Sequence, residues 1–155
     1  IDEDYLLMTG PTREENVLED YTSIGLTLRA HPMAFLRREP PFDQCKRFAD
    51  LAGMRHKSFV RLAGIVTGKQ RPGSASNVMF MSLEDETGTS NIIIWSSAQE
   101  RFRTEILTGK LLIIKGTVEI ASEHVEVPIV HVIAGHIQNV TDRLHKLALK
   151  SRDFH

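Results

Sequence analysis

One cysteine in 155 residues, Cys45, rules out an internal disulfide framework and any cysteine-rich zinc knuckle. Aromatic residues are scarce at 6%, which leaves few rings for stacking on a base. No apolar run approaches the ~18 residues of a membrane span, and no signal-peptide pattern opens the chain. A membrane location is therefore not expected, and a reducing cytoplasm fits. Repeats and low-complexity stretches are absent. Neither sign of charge dominates, with 19 Lys and Arg against 20 Asp and Glu and a formal net charge of −1. What remains is an ordinary globular composition, 41% apolar and 25% charged, in a chain long enough to bury one real core. It begins at Ile1 with acidic, irregular residues and reads as a piece of something larger.

The near-zero charge hides an asymmetry. Before Met54 there are six basic residues against ten acidic, a net of −4; the remainder holds thirteen against ten, a net of +3. The change of sign suggests two surfaces, the second more tolerant of an anion. Three regions are expected: a short helical linker region over 1–54, a β-rich domain over 55–140, and a C-terminal helix and tail over 141–155.

In the first region, Thr12-Arg13-Glu14-Glu15 has the form of a capping box, with Val17, Leu18 and Tyr21 on one helical face and Gly25 as a stop. His31-Pro32 opens a second short helix, with Phe35 and Leu36 as its apolar contacts and Pro40-Pro41 ending it. Asp43 is expected to cap a third helix, Gln44 to Ala52, turning Phe48, Leu51 and Ala52 inward.

From Phe59 the period changes to two. Strands are expected over 59–68, 78–83, 90–95, 110–120 and 124–133, with Gly64 allowing a bend in the first. Lys69 to Asn77 is a breaker-rich loop, and Asp85-Glu86-Thr87-Gly88 a tight turn. Ser97-Ala98-Gln99-Glu100 reads as a capping box opening a helix that places Ala98, Phe102 and Ile106 one turn apart and closes at Gly109. Thr141 is expected to cap a last helix bearing Leu144, Leu147 and Ala148. Three strands, a helix and two strands is the chain order of an all-β OB-fold, a five-stranded Greek-key barrel with one helix between strands three and four, here preceded by short α-helices.

OB-folds that hold single strands combine a basic groove with aromatic platforms. The candidate residues are Arg55, Lys57 and Arg61 on or before the first strand, Lys69 and Arg71 in the loop after it, and Phe80. Alternation in the second strand groups Met79, Met81 and Leu83 as a uniformly apolar, core-facing set and leaves Phe80 outward. Trp95, at a strand end, is expected to be a buried anchor. A competing reading is a protein-docking module. The sparse aromatics and the acidic helical region favour it, the latter suiting a basic protein partner. Pro128 favours an edge position for the last strand, an edge either open to strand addition or covered by the C-terminal helix. An independent enzyme finds little support. His124 and His131 fall on opposite faces of one strand, Glu84-Asp85-Glu86 belongs to a turn, and Asp2-Glu3-Asp4 has no rigid frame. Cys45 has Lys46 and Arg47 beside it but no base spaced to pair with it, so a buried thiol is expected.

Val60 to Val66, Met79 to Gly88 and Ile93-Ile94-Trp95 resemble the OB domain of bacterial C-family DNA polymerases. Three features place the resemblance in the error-prone, damage-induced branch (the ImuC type): Arg71-Pro72-Gly73, Gly25 to Pro32 within the segment from Tyr21 to Phe35, and the terminal Ser151-Arg152-Asp153-Phe154-His155. It covers nearly everything from Leu18 onward, with Asn77 departing from a glycine expected in this branch. The resemblance implies a C-terminal, non-catalytic part of a translesion polymerase of the DnaE type. The parent would be a DNA-directed DNA polymerase using a divalent metal, Mg, bound far upstream, with no cofactor and no catalytic residue in this chain. The implied partners are mutagenesis accessory proteins of the ImuA and ImuB type and single-stranded or primer-template DNA. Of the two readings, composition favours docking, with a DNA-binding module that holds the template strand as the alternative.

Overall fold

The computed structural model describes residues 30–71, 77–121 and 129–152, with the last two in backbone only. The helix expected after Thr12 and the Asp2-Glu3-Asp4 cluster lie outside the described residues. The alternating segments form β1 (Phe59–Gln70), β2 (Val78–Asp85), β3 (Gly88–Trp95), β4 (Leu111–Ala121) and β5 (Ile129–Asn139). They close into a barrel in the order β1-β2-β3-β5-β4. All pairings are antiparallel except β3 with β5, which run parallel over Asn91↔His131 to Ile93↔Ile133. This is the expected OB-fold.

Closure depends on β1 serving two neighbours. Phe59 to Ile65 pairs with β4, and Ile65 to Gln70 pairs with β2. Gly64 sits at the changeover, where a Cβ would lie 2.8 Å from the Phe48 ring and 3.0 Å from the Glu84 carbonyl oxygen. The expected bend therefore coincides with a close approach that only glycine permits. Inward residues of every strand, among them Leu62, Met81, Leu83, Ile92, Ile114 and Val132, fill the barrel.

A second apolar layer covers the outside of β1 and β4. Met33 and Leu36 come from α1 (Pro32–Leu36) and Phe42 from a 3-10 turn. They pack with Ala63, Ile65, Leu111 and Ile113 and with Leu144 and Ala148 of a C-terminal helix. Each such side chain contributes roughly 1.5–3 kcal/mol when fully buried. The helices are thus fastened to the barrel, and β1 is buried on both faces through its middle.

Four local expectations need correction. Gln44 to Ala52 is not an α-helix but two 3-10 turns, Phe42–Gln44 and Phe48–Gly53, separated by extended residues. The cause is long-range. The Lys46 N–H donates to the Arg61 carbonyl at 2.8 Å in a parallel bridge to β1, and the Phe48 N–H donates to Asp85 at 2.9 Å. Asp43 caps nothing.

The helix after β3 is split into α2 (Ser96–Arg101) and α3 (Arg103–Thr108) at Phe102, whose φ of −112° and ψ of 30° break the ladder while its ring stays buried. Ser97 forms no cap; Gln99 instead donates to the carbonyls of Asn77 and Ile94.

β5 runs on to Asn139, beyond the expected end at Ile133. Gly135 is an unpaired extra residue between Gly116↔Ala134 and Lys115↔His136, so inward positions go from Val132 and Ala134 to Ile137 and the alternation changes phase. Finally, α4 (Thr141–Arg152) begins at Thr141, but that hydroxyl accepts from the Lys110 and Leu111 N–H groups and ties the helix start to β4.

Opposite the bulge, a Cβ on Gly116 would lie 2.1 Å from the Ile133 carbonyl oxygen, a backbone atom that cannot rotate away. Gly116→Ala is expected to destabilise the protein by about 2–3 kcal/mol through forced separation of β4 and β5. A urea midpoint unchanged from the parent would show that the strands part without cost.

Candidate nucleic-acid interface

Two of the barrel's outward surfaces differ in kind. Over β1 and β4, α1 and α4 form a lid; on β2, β3 and β5 most outward side chains are half-buried or exposed. Register defines what that open face presents. Phe80 lies opposite Ile93, Ser82 opposite Asn91, and Val78 opposite Trp95. Across the parallel pair, Asn91 meets His131 and Ile93 meets Ile133. Met81, Leu83, Ile92 and Ile94 point the other way and are fully buried. Phe80, Ile93 and Ile133 are half-buried, and Trp95 is 51% exposed. The face is thus an apolar and aromatic centre with Ser82, Asn91 and His131 at its side, and none of these residues is a carboxylate.

Phe80 takes the outward position expected from alternation. Trp95 does not take the buried one. Ile92 and Ile94 already occupy the inward places of β3, so Asn91, Ile93 and Trp95 must face out; the same period-two rule applied to β3 would have found it. Phe59, 88% exposed at the start of β1, was likewise missed as a surface ring.

The six sequence candidates fall into three groups. Lys69 and Arg71 lie at the end of β1 nearest Phe80, where Gln70 pairs with Phe80. Lys69 donates to the Ile106 carbonyl at 3.0 Å and Arg71 to Gln99 at 2.9 Å. Arg55 and Lys57 are exposed in the turn before β1, and the Lys57 N–H donates to the Val118 carbonyl, which sets this turn against β4. Arg61 stands apart from Phe80 on the β1–β4 side, opposite Lys115, with its guanidinium on Gln44 at 2.7 Å. Of the six, Lys69 and Arg71 therefore lie at the β1 end nearest Phe80, with Lys69, the partner of Met81, on the side of β1 opposite to the Phe80 face and its ammonium on α3.

The acidic turn Glu84-Asp85-Glu86 is structural. Arg37 donates to Glu86 through Nε at 2.5 Å and Nη2 at 2.8 Å, and to Asp85 at 3.1 Å. Burial pushes the Glu86 carboxyl up, but the Arg37 hydrogen bond, a backbone hydrogen bond and the charges of Arg37 and His31 together outweigh it and leave the group below its ordinary value. Burial pushes the Cys45 thiol up to about 11 despite nearby Arg61 and Arg37, as a buried, inert thiol requires. Among the described residues no cluster of His, Cys, Asp or Glu could hold a metal ion, and no helix is long and apolar enough to cross a membrane. The edge expected at Pro128 also fails over the described part of its strand. From His131 to Ile133, β5 pairs with β3 on one side and β4 on the other, so the barrel leaves no open edge there.

Residues 60–143 match the family model of the OB-fold nucleic acid binding domain. The chain belongs to that family. As an OB-fold domain it is also similar to larger proteins. It is 48% identical over 155 residues to an Error-prone DNA polymerase of Teredinibacter turnerae, a match covering 98% of this chain and 15% of that protein. It is 44% identical over 155 residues to an Error-prone DNA polymerase of Saccharophagus degradans, covering 100% of this chain and 15% of that protein. The OB-fold domain thus spans a small part of these relatives, whose name agrees with the resemblance found in the motifs. Among solved structures, OBody AM3L15 bound to hen egg-white lysozyme aligns at a TM-score of 0.50 and 17% identity, over 62% of this chain and 94% of that one, and shares its fold.

Proposed function

We propose that this OB-fold domain is a non-catalytic module of an error-prone translesion DNA polymerase, and that its β2–β3–β5 face holds single-stranded template DNA. The observation that carries the reading is the open face itself, where Trp95 and Phe80 stand beside Ile93 and Ile133 with Lys69 and Arg71 at one end. Rings of this kind stack on bases of any sequence, and the cations follow the phosphates. DNA synthesis, with its divalent metal, belongs to the parent enzyme.

The test is titration of labelled oligothymidylate at two salt concentrations. Affinity is expected to fall by about 0.7 log units per contacted phosphate per log unit of salt, and joint replacement of Lys69 and Arg71 by Glu to flatten the slope by about 1.4. A flat slope in the parent protein overturns the reading. An unchanged slope in the variant removes that loop from the site.

A second reading, a docking surface for accessory proteins of the ImuA and ImuB type, draws support from Phe59, exposed by 88% at the start of β1. An exposed apolar ring outside the β2–β3–β5 face suits a protein partner. Docking alone would leave the DNA titration without a signal.

A further inference from the structure

Between α1 and α4, on the helical layer and away from the β2–β3 pair, lies a groove of about 410 Å³. Its apolar walls are Phe35, Leu36 and Leu147. Its rim carries Arg38, Arg143, Lys146 and Lys150 against one carboxylate, Glu39. Glu39 is shared, at 2.8 Å from Arg143 and 3.5 Å from Lys150, and Arg143 also donates to the Pro40 carbonyl and stands 5.2 Å over the Phe42 ring. Arg143 is therefore committed to holding α4 on the layer below. Arg38 lies 5.5 Å over the ring of Phe35, so the aromatic wall and one rim cation form a single surface.

The groove is basic because α4 brings Arg143, Lys146 and Lys150 from the far end of the chain beside Arg38. We propose that the groove docks an acidic peptide segment of a protein partner, which places a bulky apolar side chain against Phe35 and Leu147 and its carboxylates against Arg38, Lys146 and Lys150. With Arg143 balanced by Glu39, the charges of Arg38, Lys146 and Lys150 select an anionic occupant. The apolar walls select a peptide over a phosphodiester backbone, which has no apolar group to bury there. The site goes beyond the proposed DNA face and shares no residue with it.

The test uses nuclear magnetic resonance and anisotropy on the intact chain. The probe is a labelled twelve-residue peptide of Asp and Glu with one Phe and one Leu; a second peptide replaces Phe and Leu by Ser, and a twelve-base-pair DNA duplex is the third ligand. Shifts confined to α1 and α4, a five-fold or greater loss of affinity on removing the apolar pair, and a ten-fold or greater loss for Arg38→Glu with Lys146→Glu are expected. Both replaced side chains are rim groups, and a thermal melt checks that the variant is folded; the shift map on the parent protein stands without it. Equal binding of the two peptides overturns the proposal, because only net charge is then being read. So does a DNA duplex that shifts α1 and α4 at lower concentration than the peptide, which makes the groove a nucleic-acid contact. Loss of oligothymidylate binding by Trp95 variants leaves this result untouched, so the two sites fail separately.

Discussion

Asp85→Ala is expected to lower the unfolding free energy by about 3–5 kcal/mol, the range for removing one partner of a buried ion pair. Asp85 is 2% exposed and works for three segments at once. It accepts from the Thr87 N–H and hydroxyl, both at 2.7 Å, and from the Gly88 N–H at 3.1 Å, which forms the β2–β3 turn. It accepts from the Phe48 N–H at 2.9 Å, which starts the second 3-10 turn, and from Arg37 at 3.1 Å, which holds the segment after α1. Alanine leaves these donors facing a cavity, and a buried donor without an acceptor costs about 1–3 kcal/mol by itself. Asp85→Asn keeps one acceptor oxygen and the shape, so it is expected to cost less than alanine but more than a surface change. By contrast, Arg47 and Asp50 at 3.2 Å are both exposed, and breaking that pair should alter stability little. Urea titration of the three variants tests the ranking. A loss below 1 kcal/mol for Asp85→Ala would show that water satisfies the donors.

The same residue shows where sequence reading stops. Asp85 and Thr87-Gly88 were legible as a turn because their bonds are local, two and three residues apart. The bond to Phe48 spans 37 residues, so Asp43, the nearer carboxylate, was taken as the cap for a helix that does not form. The barrel was legible because five alternating runs and one helical run have few ways to close. β5 was cut short because Gly135 shifts its phase, and a period-two count cannot continue through a bulge without knowing the partner strand. The candidate site was legible in part. Phe80 followed from Met79, Met81 and Leu83, whereas Trp95 was judged by its position at a strand end instead of by its place in the alternation. The basic groove was illegible in principle, since Arg38 and Lys146 meet only after α4 returns over β4.

The joint replacement Phe80→Ala and Trp95→Ala is expected to weaken oligothymidylate binding by at least fifty-fold. Stacking contributes about 1–3 kcal/mol per base, so two lost platforms remove roughly 2–6 kcal/mol if they act independently. They are not fully independent. Trp95 faces Val78 and Phe80 faces Ile93, which makes the two rings diagonal neighbours on adjacent strands, about 7–8 Å apart at their backbones. Neighbours at that distance couple, so the lower half of the range is the sounder expectation, and the two single variants are needed to measure the shortfall. Stability should separate the roles. Trp95 is half exposed and its loss is expected to leave the thermal midpoint nearly unchanged, whereas Phe80 is half-buried and should lower it by a few degrees. Trp95→Phe keeps a stacking ring and should recover most of the affinity, which an anchor needed only for packing would not do. A double variant that binds within three-fold of the parent would remove the aromatic face from the DNA site, and with it the reason to regard β2 and β3 as the binding surface.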